Sequence, residues 1–244
     1  MKKFLKRFFL VLLILIVLLV AFVISAPFIF KGKIIEIAEE QANKMLKAKV
    51  EIGDYDLTVF KSFPDLTFQM YDVSVEGIEE FEGDTLMDMY MLSLDVNLLS
   101  LFGDEIKVKS IILDKPNLFG KVLPDSTANW DIMRDTADAA EDTSAEEEGA
   151  GFRLALKEFK INNANLKYDD MSSDMYAEVN NLNFELSGDL TADQTILETF
   201  IKIEKLTVEM EGVKYLNEAN LEIDADLDAD LANSKYTFKD NIVR

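Results

Sequence analysis

The 244-residue chain contains no cysteine and no histidine, and it has only one tryptophan and four prolines. These absences exclude Cys–His and Ser–His–Asp nucleophile systems, histidine-ligated zinc and any disulfide framework. The glycine-bearing signatures are missing too. There is no G-x-S-x-G elbow, no phosphate-cradling glycine loop and no dinucleotide fingerprint; the one G-x-G, Gly149–Gly151, lies in an acidic run. Chemistry would have to rest on carboxylates, Ser, Tyr and Lys, and no paired acids stand in a recognisable constellation. The sequence therefore reads as a non-enzyme without catalytic residues, metal or cofactor.

Cations are outnumbered, 25 against 46 acids, for a net charge of -21. Six of them (Lys2, Lys3, Lys6, Arg7, Lys31, Lys33) precede residue 34 with no acid among them, so the remainder carries -27. A body this acidic repels phosphate backbones, which excludes nucleic acid as a partner. Its general effect is solubility and resistance to self-association.

One long hydrophobic run is present. From Phe8 to Phe30 no residue is charged, and about 20 helical residues cross a hydrocarbon core of about 30 Å. Phe8, Leu12, Leu15, Leu19 and Phe22 mark this expected transmembrane anchor over residues 8–30. A cleaved signal peptide shares the basic start, but this run exceeds the usual apolar length. Its best small-residue site ends at Ala26, directly before Pro27. The basic tail, residues 1–7, stays cytoplasmic by the positive-inside rule, which puts the acidic body on the far side of the membrane.

Residues 31–49 follow, with Ile34, Ile37, Ala42 and Met45 at helical spacing, as an amphipathic helix requires. From Val50 the period changes to 2. "VEIGDYDLTVF", "LTFQMYDVSVEG", "LSLDVNLL" and "IKVKSIILD" read as strands of a β-rich region over 50–133, with a bulge or bend near Asp72. Residues 134–151, only Arg, Ala, acid, Thr, Ser and Gly, read as a disordered acidic linker. Strands resume over 152–244 as "FRLALKEFKI", "ANLKYDD", "EVNNLNFELSG", "FIKIEKLTVEMEG" and "LEIDADLDADL", mostly separated by Asn, Asp, Gly and Ser turns, so the body reads as mainly β, a largely antiparallel sheet. The chain stops within an apparent strand run at Arg244, as a truncated longer protein would.

In the last of these segments Asp224, Asp226, Asp228 and Asp230 alternate with apolar residues. A calcium loop from Asp224 would need Gly at its sixth position and Glu at its twelfth, where Ala229 and Lys235 stand. Same-side residues on a strand lie about 6.6–6.8 Å apart, too far to converge on one ion. The ladder reads as a solvated strand face, and "DDMSSD" (Asp169–Asp174) as a hairpin turn. The other side of nearly every strand is apolar, and too few helices exist to cover it. It either packs on a second sheet as a closed β-sandwich or lines an open trough.

Four pieces in order, Ile52-Gly53-Asp54, Phe63-Pro64-Asp65-Leu66, Asp114-Lys115-Pro116 and Asn129-Trp130-Asp131-Ile132, resemble the N-terminal region of the AsmA family of bacterial envelope proteins. The resemblance implies a protein of the inner membrane with a periplasmic β-rich body and no catalytic residues. The family is similar to bridge-like lipid transfer proteins, whose curved sheets form a hydrophobic groove. It is linked to phospholipid movement and outer-membrane homeostasis, so phospholipid acyl chains, the inner-membrane bilayer and other envelope proteins are the expected partners. The candidate groove-lining residues are Leu66, Phe68, Leu94, Val96, Leu98, Leu182, Phe184, Leu221, Ile223 and Leu227. The alternative reading is a membrane-tethered sandwich that acts as a structural or assembly module.

Overall fold

The computed structural model describes residues 35–36, 39–40, 42–43, 45–59, 61–102, 105–133, 151–190, 192, 194–230, 233 and 235–244. The expected membrane anchor, residues 8–30, lies outside them, as does nearly all of the acidic linker. Among the described residues no helix is long and apolar enough to cross a membrane. Residues 35–36, 39–40, 42–43 and 45 are helical, within the expected amphipathic stretch.

Nine strands follow: β1 (Ala48–Thr58), β2 (Leu66–Gly77), β3 (Thr85–Val96), β4 (Glu105–Val122), β5 (Gly151–Asp170), β6 (Met175–Ser187), β7 (Gln194–Met210), β8 (Val213–Asp230) and β9 (Lys235–Val243). They form one open, curved sheet in sequence order. Seven of the eight neighbouring pairs are antiparallel. The exception is β4 with β5, which run parallel from Glu105↔Gly151 to Val122↔Asp170. A parallel pair needs a long return connection, and residues 123–150 supply it. The linker thus joins neighbouring strands of one sheet, and Gly151, assigned to it from sequence, opens β5.

Substantial contact among the strands is confined to sheet neighbours. The alternative of a closed sandwich is thereby overturned, because among the described residues no second sheet faces the first. Burial agrees: among the described residues Pro116 is the one large side chain that is fully buried. Two further boundaries differ from the sequence reading. β1 begins at Ala48 rather than Val50. β3 ends at Val96, and Leu98 opens a 3-10 turn, Leu98–Phe102, instead of lining the sheet. Ser100 locks that turn, donating its hydroxyl to the Asn97 carbonyl and accepting the Lys107 amide.

The expected bulge at Asp72 recurs across the sheet. Asp72, Lys115, Asn163, Asn181 and Glu218 all lie within strands at φ 51–55°, a conformation uncommon for residues with a Cβ. They mark a diagonal line from β2 to β8.

Candidate functional site

We call the end of the sheet at which β1 begins the upper end. Below the diagonal line, the register aligns Tyr55, Met70, Leu92, Leu113, Ile161, Phe184, Ile201, Ile223 and Val243 in one transverse row across all nine strands. Tyr55 is buried and every other member is partly or largely exposed. A second apolar row lies below it, with Leu57, Phe68, Leu94, Ile111, Phe159 and Leu186 directly opposite one another in turn. Rings bridge the two rows, Tyr55 to Phe68 at 5.7 Å and Phe159 to Phe184 at 5.8 Å.

The row between these two is polar except at Ile112, Phe200 and Ile242, and the row below the second is polar throughout. Thr58, Thr67, Asp95, Ser110, Glu158, Ser187, Glu198, Asp226 and Lys239 form this lower row, which again crosses nine strands. Thr67 donates to Asp95 at 2.7 Å and Ser110 to Glu158 at 3.1 Å. Lys160 sits between Glu158 and Glu185 at 2.8 and 2.9 Å. Its ammonium, with help from Ser110, holds the Glu158 carboxyl below its ordinary range despite partial burial. Because neighbouring residues on a strand alternate sides, an apolar row beside a polar row means one apolar face and one polar face.

In the upper part of the sheet, apolar residues occupy the opposite phase of every strand from β1 to β7, while on β8 Ala219 keeps the phase of Ile223 and the change comes just above it, at Glu218. Val50, Val75, Met87, Leu118, Leu166, Val179, Leu206 and Ala219 share one row. With strict alternation the first seven of them would point to the other side. A bulge lets two successive residues face the same way, and the side chains at the line show that this happens. Tyr71 donates to Gln69 on the polar face at 2.9 Å. The ring of Tyr90, one row above, meets Tyr71 at 5.9 Å, and Lys115 lies 5.3 Å over Tyr90. Two successive rows thus share the polar side. The apolar face continues unbroken from the lower rows to the upper ones.

Three of the quoted sequence pieces build this line and its surroundings. A Cβ on Gly53 would stand 2.9 Å from that of Asp72 on the paired strand. Lys115 supplies the bulge, and Pro116, which has no N–H to give a ladder, follows it in β4. Asp65 holds Lys109 at 2.8 Å, joining the β1–β2 turn to β4. The fourth piece is a strap. Asn129 is 2% exposed; its side chain donates to the Phe119 carbonyl at 2.6 Å and accepts from the Lys121 amide at 2.9 Å. Trp130 lies over Gly120 and against Tyr168, ring centroids 5.9 Å apart. The strap then reaches Leu46, which bridges to Met133.

The chain matches the family model described as the AsmA family over residues 1–243. It belongs to the AsmA family. Neither curated proteins nor solved structures give a match. Membership supports a lipid-related role in the envelope.

In this AsmA protein the sequence-selected residues fall as follows. Leu66 opposes Val96 and Phe68 opposes Leu94. Leu182, Ile203 and Leu221 are in line, as are Phe184, Ile201 and Ile223. Leu227 opposes Leu197 and Phe238. All share the apolar face; Leu98 alone is off it. Sequence reading missed Tyr55, Met70, Leu113, Ile161 and Ile201, although the same alternation carries them. Asp224, Asp226 and Asp228 lie on the polar face, where Lys239 pairs with Asp228. "DDMSSD" forms the β5–β6 turn: Ser172 and Ser173 donate to Asp170 and keep its carboxyl well below the usual range.

Proposed function

We propose that the apolar face shields phospholipid acyl chains, in a protein anchored by residues 8–30 in the inner membrane with its sheet in the periplasm. Its work there is to bind or conduct phospholipid in support of outer-membrane lipid homeostasis and assembly. The observation that carries this reading is the nine-strand row from Tyr55 to Val243, apolar throughout and partly or largely exposed at every member but Tyr55. Soluble proteins rarely leave so long an apolar face without an occupant. Exposing an acyl chain to water costs about 0.8 kcal/mol per CH₂, so a two-tailed lipid faces a barrier on the order of 20 kcal/mol. A continuous apolar lining removes most of it. No covalent step is required, which suits a chain without histidine or cysteine.

Native mass spectrometry of the full chain, released from detergent, tests the reading. Phospholipid should stay bound, and Leu94→Gln with Ile201→Gln should reduce it at least fivefold while far-UV circular dichroism keeps the β signal. If the unmodified chain carries no more lipid than the same anchor fused to an unrelated soluble domain, the proposal is wrong.

A further inference from the structure

The apolar face is not equally accessible along its upper end. Over β1 and β2, Ala42, Leu46 and Ile132 pack on the cluster of Ala48, Val50 and Val75. Over β4 and β5, Trp130 covers Gly120 and reaches Tyr168. No described residue extends this cover further. The row of Tyr168 runs on through Ala177 and Val208 to Leu216, and the row above it through Met210 to Val213. Leu216 is 40% exposed and Val213 55%. Between β7 and β8, Gly212 turns the chain at φ +74°, with nothing within 4 Å of where a Cβ would stand.

We propose that the upper ends of β6, β7 and β8 are the portal by which phospholipid acyl chains pass from the bilayer onto the apolar face. The strap denies the same passage over β1–β4. This rests on the lipid-shielding reading above. Two observations identify the occupant as hydrocarbon. First, the rim is continuous with the face, since Val208 and Leu206 lead down β7 to Ile203 and Ile201 without leaving it. Second, the uncharged run Phe8–Phe30 ends 18 residues before Ala48, so chain connectivity ties the upper end of the sheet to the bilayer within about 60 Å.

The absence of native cysteine permits a test with one introduced thiol. The full chain carrying Ile201→Cys, labelled with bimane, is reconstituted into vesicles of phosphatidylethanolamine and phosphatidylglycerol containing a lipid spin-labelled in mid-acyl chain. Quenching reports acyl chains at the central row. Adding Val213→Asp and Leu216→Asp should slow quenching at least fivefold, and the serine pair at the same sites should slow it in the same direction. Aspartates at Phe63 and Leu99, each 80% exposed at the lower end, should change it less than twofold. Unchanged quenching in both rim pairs overturns the portal and leaves the groove standing. No quenching in the parent removes the groove itself.

Discussion

The two halves of the sheet, β1–β4 and β5–β9, share one register but differ in what lies over them. Of the fourteen buried hydrophobic residues among those described, ten precede β5; the four beyond are Ala164, Ala225, Ala229 and Leu197. The first half has the strap, with Ala42 and Leu46, over a small core of Ala48, Val50 and Val75. The second half buries mainly alanines and leaves Leu216, Phe238 and Val243 in the open. Its stability therefore comes from backbone ladders and cross-strand pairs, while the first half adds conventional packing. The edges follow the same division. On β1 the outward amides of Val50 and Ile52 are taken by Asn43 and Glu39 side chains at 2.7 Å each, which blunts an edge that would otherwise invite pairing.

The largest break of this contrast is expected at the strap. Asn129→Ala leaves the Lys121 amide and the Phe119 carbonyl without partners, at about 1–3 kcal/mol each. Urea unfolding followed by the single tryptophan should show a loss of about 3 kcal/mol and a red-shifted folded baseline. A smaller effect compares like with like. Val75 and Val179 occupy one transverse row, Val75 only 5% exposed and Val179 partly exposed. Val75→Ala should cost about 2 kcal/mol and Val179→Ala about 1 or less. Equal losses would mean that the halves are packed alike.

The smallest effect concerns the boundary between the halves, where Ser110 on β4 and Lys160 on β5 hold Glu158. The Glu158 carboxyl is depressed by Lys160 first and Ser110 next. A depressed carboxylate adds stability above its unfolded pKa and loses it as pH falls through the folded one. Glu158→Gln should therefore cost up to about 1 kcal/mol at pH 7, with the gap to the parent closing as pH drops from about 5 to below 4 in matched melts.

Much of this was written in the alternation. β1, β2, β3 and β8 are legible from period 2 alone, and the phase slip at Asp72 announced its bulge. The same slip in "INNANL" and "VNNLNF" was harder to interpret, because Asn pairs serve both turns and left-handed positions. "FRLALKEFKI" and "ANLKYDD" read as two strands, yet β5 runs through both for 20 residues. The parallel pairing of β4 with β5 left no local mark, since strand direction depends on the path of a connection rather than on any residue in it. The apolar face was legible residue by residue, but its rows were not, as register between strands is set by long-range pairing.

The diagonal line also constrains how such a sheet can be remodelled. Any strand pair grafted between existing strands would have to skip a beat at the same height as Lys115 and Asn163. A graft in unbroken alternation would match its neighbours on one side of that height and turn its oily residues to water on the other. Asp72, Lys115, Asn163, Asn181 and Glu218 thus act as a shared reading frame, and a hybrid sheet stays amphipathic only when its parts are spliced in frame.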